Sequence, residues 1–183
     1  KALQKLAQYW RRRNHFNVVG ISGSNGKTTT KEFAQAIISP TMKVHASKGS
    51  FNNHWGVPIS ILGAPEGTEL IVQEMGMNHA HEITPLTRMV KPHIAIITTI
   101  APVHTEHFPD GLDGIAKAKA EIFAGMDAHG IAIVNRDNPQ CDLIMDEAKR
   151  QGIQKIFTFG HSEEADARLV ECLVRSEEHT SEL

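Results

Sequence analysis

The chain has 183 residues, 40% of them hydrophobic and 22% charged, which excludes a disordered or fibrous chain and gives length for one domain with a substantial core. Nineteen Lys and Arg against 21 Asp and Glu leave a net charge of -2, so no global basic field suits a nucleic acid, and a phosphate ligand needs a local site. The 2 cysteines lack CxxC spacing, which argues against a disulfide framework or a zinc site, and no apolar run approaches the roughly 20 residues of a membrane span. No charged-then-apolar leader opens the chain, so the expectation is a cytoplasmic protein.

The first segment, KALQKLAQYWRRR, sets Leu3, Leu6, Ala7 and Trp10 on one helical face. It predicts a helix over residues 1–15 leading in from a preceding domain, with Arg11, Arg12 and Arg13 as a solvated end favoured by the helix dipole. Strand-like runs then alternate with helical stretches: NVVGIS, a helix over 26–38, MKVHAS, ELIVQEM, a short helix over 81–89, HIAIITTI, a helix over 112–126, GIAIVN, a helix over 139–151 and KIFTFG. Continuous apolar strands separated by helices predict an α/β fold, a P-loop-type, mostly parallel sheet with helices on both faces. Ligands of such sheets lie beyond the carboxyl ends of the strands, so the polar residues just after each strand are the candidates. Residues 166–174 read as a further strand with partners elsewhere, so 16–174 is expected to be a domain incomplete at its C-terminal end. Residues 175–183, RSEEHTSEL, lose the apolar rhythm and resemble a translated library adapter, a tail outside fold reasoning.

The strongest motif is GISGSNGKTTTKE, which follows a strand and opens a helix. Gly23 and Gly26 let backbone N–H groups converge on phosphate oxygens where a Cβ would obstruct, and the helix N-terminus adds a favourable dipole. Lys27 would reach the β- and γ-phosphates, and the Thr28 hydroxyl would ligate magnesium. The strict GxxxxGK[ST] spacing is not met, since Ile21 stands where the first glycine belongs and Gly20 lies one residue earlier. Glu74 ends its strand where a second acidic metal ligand is wanted, with Asn78 and His79 following as candidate substrate contacts. His104 and Glu106 stand beyond HIAIITTI, where a histidine is either a metal or phosphate neighbour or a solvated loop residue. Lys117 and Lys119 on an Ala-rich helix read by pattern as solvated charges. Asn135 and Asp137 follow GIAIVN without the NKxD order of a guanine reader, which favours adenine.

Together GSNGKTTTKE, SFNNHWGVPIS, EMGMNHAHEI, VHTEHF, AKAKAEIF and NRDN resemble the central ATP-binding domain of the Mur ligases of bacterial cell-wall synthesis, over about residues 16–172. NNHWGVP, in place of the threonine-proline turn of ligases that act earlier, resembles the branch that joins D-alanyl-D-alanine to UDP-N-acetylmuramoyl-tripeptide. The resemblance implies that ATP phosphorylates the peptide carboxylate, giving an acyl phosphate that the amine attacks. It implies a nucleotide loop of Gly23, Ser24, Asn25, Gly26, Lys27, Thr28 and Thr29, with Asn135 at the adenine. Thr28, Glu74, His104 and Lys119 would serve two magnesium ions, Lys119 as a carbamate that turns a cation into an anion. Lys27, Lys119 and His104 would be catalytic, which replaces the solvated reading of Lys119 and leaves it for Lys117. Asn52, Asn53, Asn78 and His79 would line the side facing the UDP-peptide. Thr105, where the family more often shows Leu, and Met77, often Ala, depart from the pattern without removing a ligand. The implied protein is a cytoplasmic monomer, inactive without flanking domains that hold the UDP-sugar and close over ATP. Sister readings are an earlier Mur ligase or a folylpolyglutamate-type ligase, and a reading of another class is a P-loop nucleotide switch.

Overall fold

The computed structural model describes residues 2–172. The apolar runs form β1 (Asn17–Ser22), β3 (Leu70–Glu74), β4 (Ile94–Ile97) and β5 (Ile131–Asn135), flanked by β2 (Val44–Ala46), β6 (Lys155–Gly160) and β7 (Ala167–Arg168). Every adjacent pair is parallel and the order is β2-β3-β1-β4-β5-β6-β7. Because the order turns back at β1, the connections leave it on both sides and a crevice opens beyond the carboxyl ends of β1, β3 and β4.

Side chains alternate across the sheet, so each strand feeds two cores. On one face Val18, Ile71, Ala95, Ile97, Ala132 and Val134 pack under α1 (Ala2–Arg13), α3 (Gly56–Leu62), α4 (Ile83–Val90), α5 (Gly111–Ala120) and α6 (Cys141–Arg150). On the other, Val19, Ile21, Leu70 and Val72 meet Ala34 and Ile38 of α2 (Lys27–Ile38). Among the described residues α2 is the only helix on that side. Further along the same face Ile94, Ile96, Ile131 and Ile133 are half-buried, and Phe157 is 50% exposed.

Several expectations shift for local reasons. The helix expected over 112–126 is α-helical only through Ala120 and tightens into a 3-10 turn over Glu121–Gly125. That turn lies against α4, where Thr87 Oγ1 donates to the Ile122 carbonyl at 2.5 Å and a Cβ on Gly125 would come within 2.2 Å of the Thr87 oxygen. The seven-residue α3 has no counterpart in the sequence reading. Pro58 sits in its first turn, where the missing N–H bonds nothing in any helix. β4 ends at Ile97, short of the expected HIAIITTI, because the residues after it turn to the neighbouring loop. Arg11 is no solvated end: its Nε donates to the Val90 carbonyl at 2.9 Å and its guanidinium lies 4.9 Å from the Phe16 ring centroid. The strand expected over 166–174 is realised at Ala167–Arg168, and its partner is β6. The tail expected over 175–183 lies outside the described residues.

Phe123 is fully buried between the two halves of the first core, whereas Phe33 on α2 is 65% exposed. Phe123→Ala should destabilise the fold by about 3–5 kcal/mol and Phe33→Ala by no more than about 0.5 kcal/mol, read from urea midpoints.

Candidate active site

The glycine loop joins β1 to α2 and is held from the side by the segment after β4. Thr98 N–H donates to the Ser22 carbonyl at 3.0 Å, and Ser24 N–H to the Thr99 carbonyl at 2.7 Å. The Thr98 hydroxyl donates to the Asn25 carbonyl at 2.6 Å, while Ser24 Oγ and Ala101 exchange bonds of 3.1 and 3.0 Å. Gly23, at φ 148°, could carry no side chain here, since a Cβ would lie 1.9 Å from Thr98 Oγ1. Gly26, at φ 80°, forms the left-handed N-cap of α2 with no side chain capping it. The backbone amides of the first turn, with Thr28 and Thr29, are thus left facing the crevice, the geometry of an anion site. Lys27 folds back across the loop, donating to the Gly23 and Ser24 carbonyls at 2.7 and 3.2 Å, where the sequence reading had it extended toward phosphate. Burial holds its amine below the ordinary lysine range, offset in part by the charge of Glu74.

Strand periodicity decides where Glu74 points. Leu70 and Val72 pack on the α2 side, so Glu74, two residues on, faces the same helix and lies in register with Ile21. It is fully buried, and its Oε1 is 3.1 Å from the Nζ of Lys31, itself 3% exposed. Neither Glu74 oxygen has a hydrogen-bond partner, so the ion pair is the only direct relief of its charge among the described residues, and Oε2 has none. A buried carboxylate oxygen without a donor is costly unless a cation meets it, so Glu74 Oε2 suits a divalent ion. Lys119 is 2% exposed on the last turn of α5, while Lys117 on the outer face is exposed. Burial, with the Lys27 charge adding to it, pulls the Lys119 amine down to about 7.

The remaining candidates are spread along the carboxyl edge. His104 is exposed, in a left-handed conformation at φ 57°, and the described residues contain no group of three or more His, Cys, Asp or Glu side chains placed to hold a metal. The Asn78 amide and His79 Nδ1 both bond the Glu82 carboxylate, at 2.8 and 3.1 Å, and the His79 ring stacks 4.2 Å from that of His107. Asn52 lies half-buried against the loop after β3, its carbonyl accepting from Gly76 N–H at 2.8 Å. Asn53 Oδ1 accepts from the Trp55 and Gly56 amides, so that oxygen starts α3. Asn135 stands two strands from β1 with Oδ1 accepting from the Asp137 amide at 2.9 Å.

The family model of the Mur ligase middle domain matches residues 21–183. The chain belongs to the Mur ligase family. Similar curated proteins include the UDP-N-acetylmuramoyl-tripeptide--D-alanyl-D-alanine ligase of Rickettsia prowazekii, 40% identical over 170 residues, which are 93% of this chain and 38% of that protein. A crystal structure of MurF from Acinetobacter baumannii superposes with a TM-score of 0.82 at 36% identity, covering 88% of this chain and 35% of that one. The MurF ligase of Thermotoga maritima, solved in complex with ADP, does so with a TM-score of 0.78 at 31% identity, covering 88% and 36%. The chain thus spans little more than a third of these relatives.

This Mur ligase domain also contains site residues that the motif reading passed over. Lys31 follows Lys27 by one helical turn and continues inward along the stripe that carries Ala34 and Ile38, so its inward face was legible in the spacing. Thr98 lies on the same strand face as Ile94 and Ile96, which a period-two reading extended beyond the strand would have shown. Asn138, 7% exposed, accepts from Ile100 N–H through Oδ1 at 3.2 Å and joins the loops after β4 and β5. Nothing in its local sequence announces that contact.

The lowered Lys119 amine makes a signed prediction. Between about 7 and the ordinary value of 10.5 the unfolded chain carries a proton on this lysine that the folded chain does not. In CO2-free buffer, stability should therefore rise with pH through that window, and the rise should shrink in Lys119→Met. The Lys119 side-chain NMR signal should titrate near 7; titration near 10.5 would contradict the burial argument.

Proposed function

We propose that this chain is the nucleotide-binding centre of an ATP-dependent ligase that joins D-alanyl-D-alanine to UDP-N-acetylmuramoyl-tripeptide in peptidoglycan synthesis. The observation that carries the reading is the glycine loop clamped by the β4 segment, with buried Glu74 and Lys119 within charge range of Lys27. The substrates are supported by the names of the relatives that share 40% and 36% of their residues with the matched region.

In this reading the amides of residues 23–29 and the Lys27 ammonium hold the ATP phosphates, and Lys27 exchanges its two loop carbonyls for phosphate oxygens as ATP enters. Thr28 and Glu74 would hold magnesium, which supplies charge neutralisation on the phosphoryl oxygens when bound. His104 belongs to the second metal position and would have to move in from its exposed loop. Lys119 suits carbamylation, because CO2 adds to a neutral amine and burial lowers this one to about 7. As the peptide carboxylate takes the γ-phosphoryl group, ADP leaves; as the amine then attacks the acyl phosphate, inorganic phosphate leaves and the amide forms. Asn135 serves the adenine side, while Asn52, Asn53, Asn78 and His79 serve the UDP-peptide side. The half-buried apolar face of β4, β5 and β6 supports a central domain completed by further chain, since parallel sheets are covered on both faces. We infer the same cytoplasmic monomer, with helix α1 leading in from another domain.

The full-length protein tests this directly. With ATP, magnesium, UDP-tripeptide and D-alanyl-D-alanine it should form the pentapeptide, and Lys27→Ala should lower turnover by about 100-fold or more. Lys119→Ala should lose most activity and regain part of it with added short carboxylic acids, while residues 1–183 alone should make no product. Full turnover in Lys27→Ala would sink the loop assignment.

A further inference from the structure

Lys31 contributes to no phosphate contact in the reading above, yet its ammonium is buried and held by other segments of the chain. It is 3% exposed and faces three acceptor groups, donating hydrogen bonds to the Ser47 and Gly49 carbonyls at 2.8 Å each and forming an ion pair with Glu74 Oε1 at 3.1 Å. Two of the three ammonium protons are thus placed in hydrogen bonds, and the carboxylate supplies the balancing charge. Two of these acceptors belong to the segment that leaves β2 and runs over residues 47–53 to Asn52 and Asn53; the third is the carboxylate at the end of β3. The same segment is tied at its far end, where Gln73 Nε2 donates to the Phe51 carbonyl at 3.0 Å and Gly76 N–H to the Asn52 carbonyl at 2.8 Å. Lys48, Gly49, Ser50 and Phe51 are exposed, and the segment's own bonds are two short-range ones, Phe51 N–H to the Lys48 carbonyl at 3.2 Å and Asn52 N–H to the Ser50 carbonyl at 2.7 Å. Two backbone carbonyls turned inward toward a buried cation make an unusual loop path, one that the cation itself must hold.

We propose that Lys31 is a positioning residue for the acceptor side of the site: anchored on Glu74, it holds the 47–53 segment in the shape that presents Asn52 and Asn53, and so governs affinity for the UDP-linked peptide rather than for the nucleotide. The proposal rests on the ligase reading for the identity of the acceptor, but the clamp itself does not. Lys31 lies on the sheet side of α2, a turn beyond the amides that face the crevice, so its loss leaves the Gly23 to Thr28 loop bonds to the β4 segment in place.

The test uses the full-length protein and the variants K31M and K31R. Hydrogen-deuterium exchange without substrates should show the amides of residues 48–53 exchanging at least tenfold faster in K31M, with those of β1 and β3 within about twofold of wild type. In steady-state assays the KM for UDP-tripeptide should rise at least tenfold while that for ATP stays within about threefold, and K31R, which keeps the cation, should recover part of the acceptor KM. Unchanged exchange over 48–53 would overturn the clamp, as would ATP and acceptor KM rising together, which is what a merely structural lysine would give. If K31M fails to fold, K31R decides alone: the same exchange and KM split at smaller amplitude supports the proposal, and wild-type values in both overturn it. A wild-type protein with no ligase activity would refute the proposed function, and the exchange measurement would still decide the clamp.

Discussion

Parallel pairing of β1 with β3 on one side and β4 on the other is the constraint from which the site follows. Register places Glu74 beside Ile21 and Ile97 beside Ser22, so the next residues of all three strands emerge at one level. The glycine loop, the buried acid and the Thr98 hydroxyl meet because three strands end together. A one-residue slip in either pairing would turn Glu74 or Thr98 to the opposite face and dissolve the arrangement.

The electrostatics of the crevice are lopsided in a way that suits an anion. Lys27, Lys31 and Lys119 are wholly or partly buried; Glu74 lies within charge range of Lys27 and pairs with Lys31, while the charge that Lys119 feels is that of Lys27. Burial penalises every unpaired charge, and the structure relieves it differently at each position. Lys31 donates to two carbonyls and pairs with Glu74, Lys27 lies on the loop carbonyls, and burial pulls the Lys119 amine down to about 7. A polyphosphate with its metal would complete the neutralisation, adding negative charge beside Lys27 and a cation at the orphaned Glu74 oxygen.

The two faces of the sheet divide the work. Five helices bury one face and make the rigid platform, while among the described residues the other carries α2 alone, so the helix that follows the glycine loop also presents Lys31 to Glu74 and to the 47–53 segment. The glycine loop and the 47–53 segment are thus linked over a short path, since one turn of α2 separates Lys27 from Lys31.

The alternation of apolar runs with helical stretches determined the parallel sheet, because strands buried on both faces must be apolar throughout, and Gly23 and Gly26 announced the loop that opens α2, because close backbone approach at one and a left-handed cap at the other require glycine. Local sequence also placed most elements, and it failed where a tertiary neighbour intervened: at Gly125, where the approach of Thr87 tightens a helix, and at Pro58, whose short helix depends on the Asn53 cap. Which charges are buried was a tertiary matter. Lys117 and Lys119 are alike in pattern and opposite in environment, and Lys31 looks like any helix lysine until β2 and β3 bring it Ser47, Gly49 and Glu74. The physical reason is that spacing along a chain sets which way a side chain points, whereas desolvation and pairing depend on atoms contributed by segments distant in sequence.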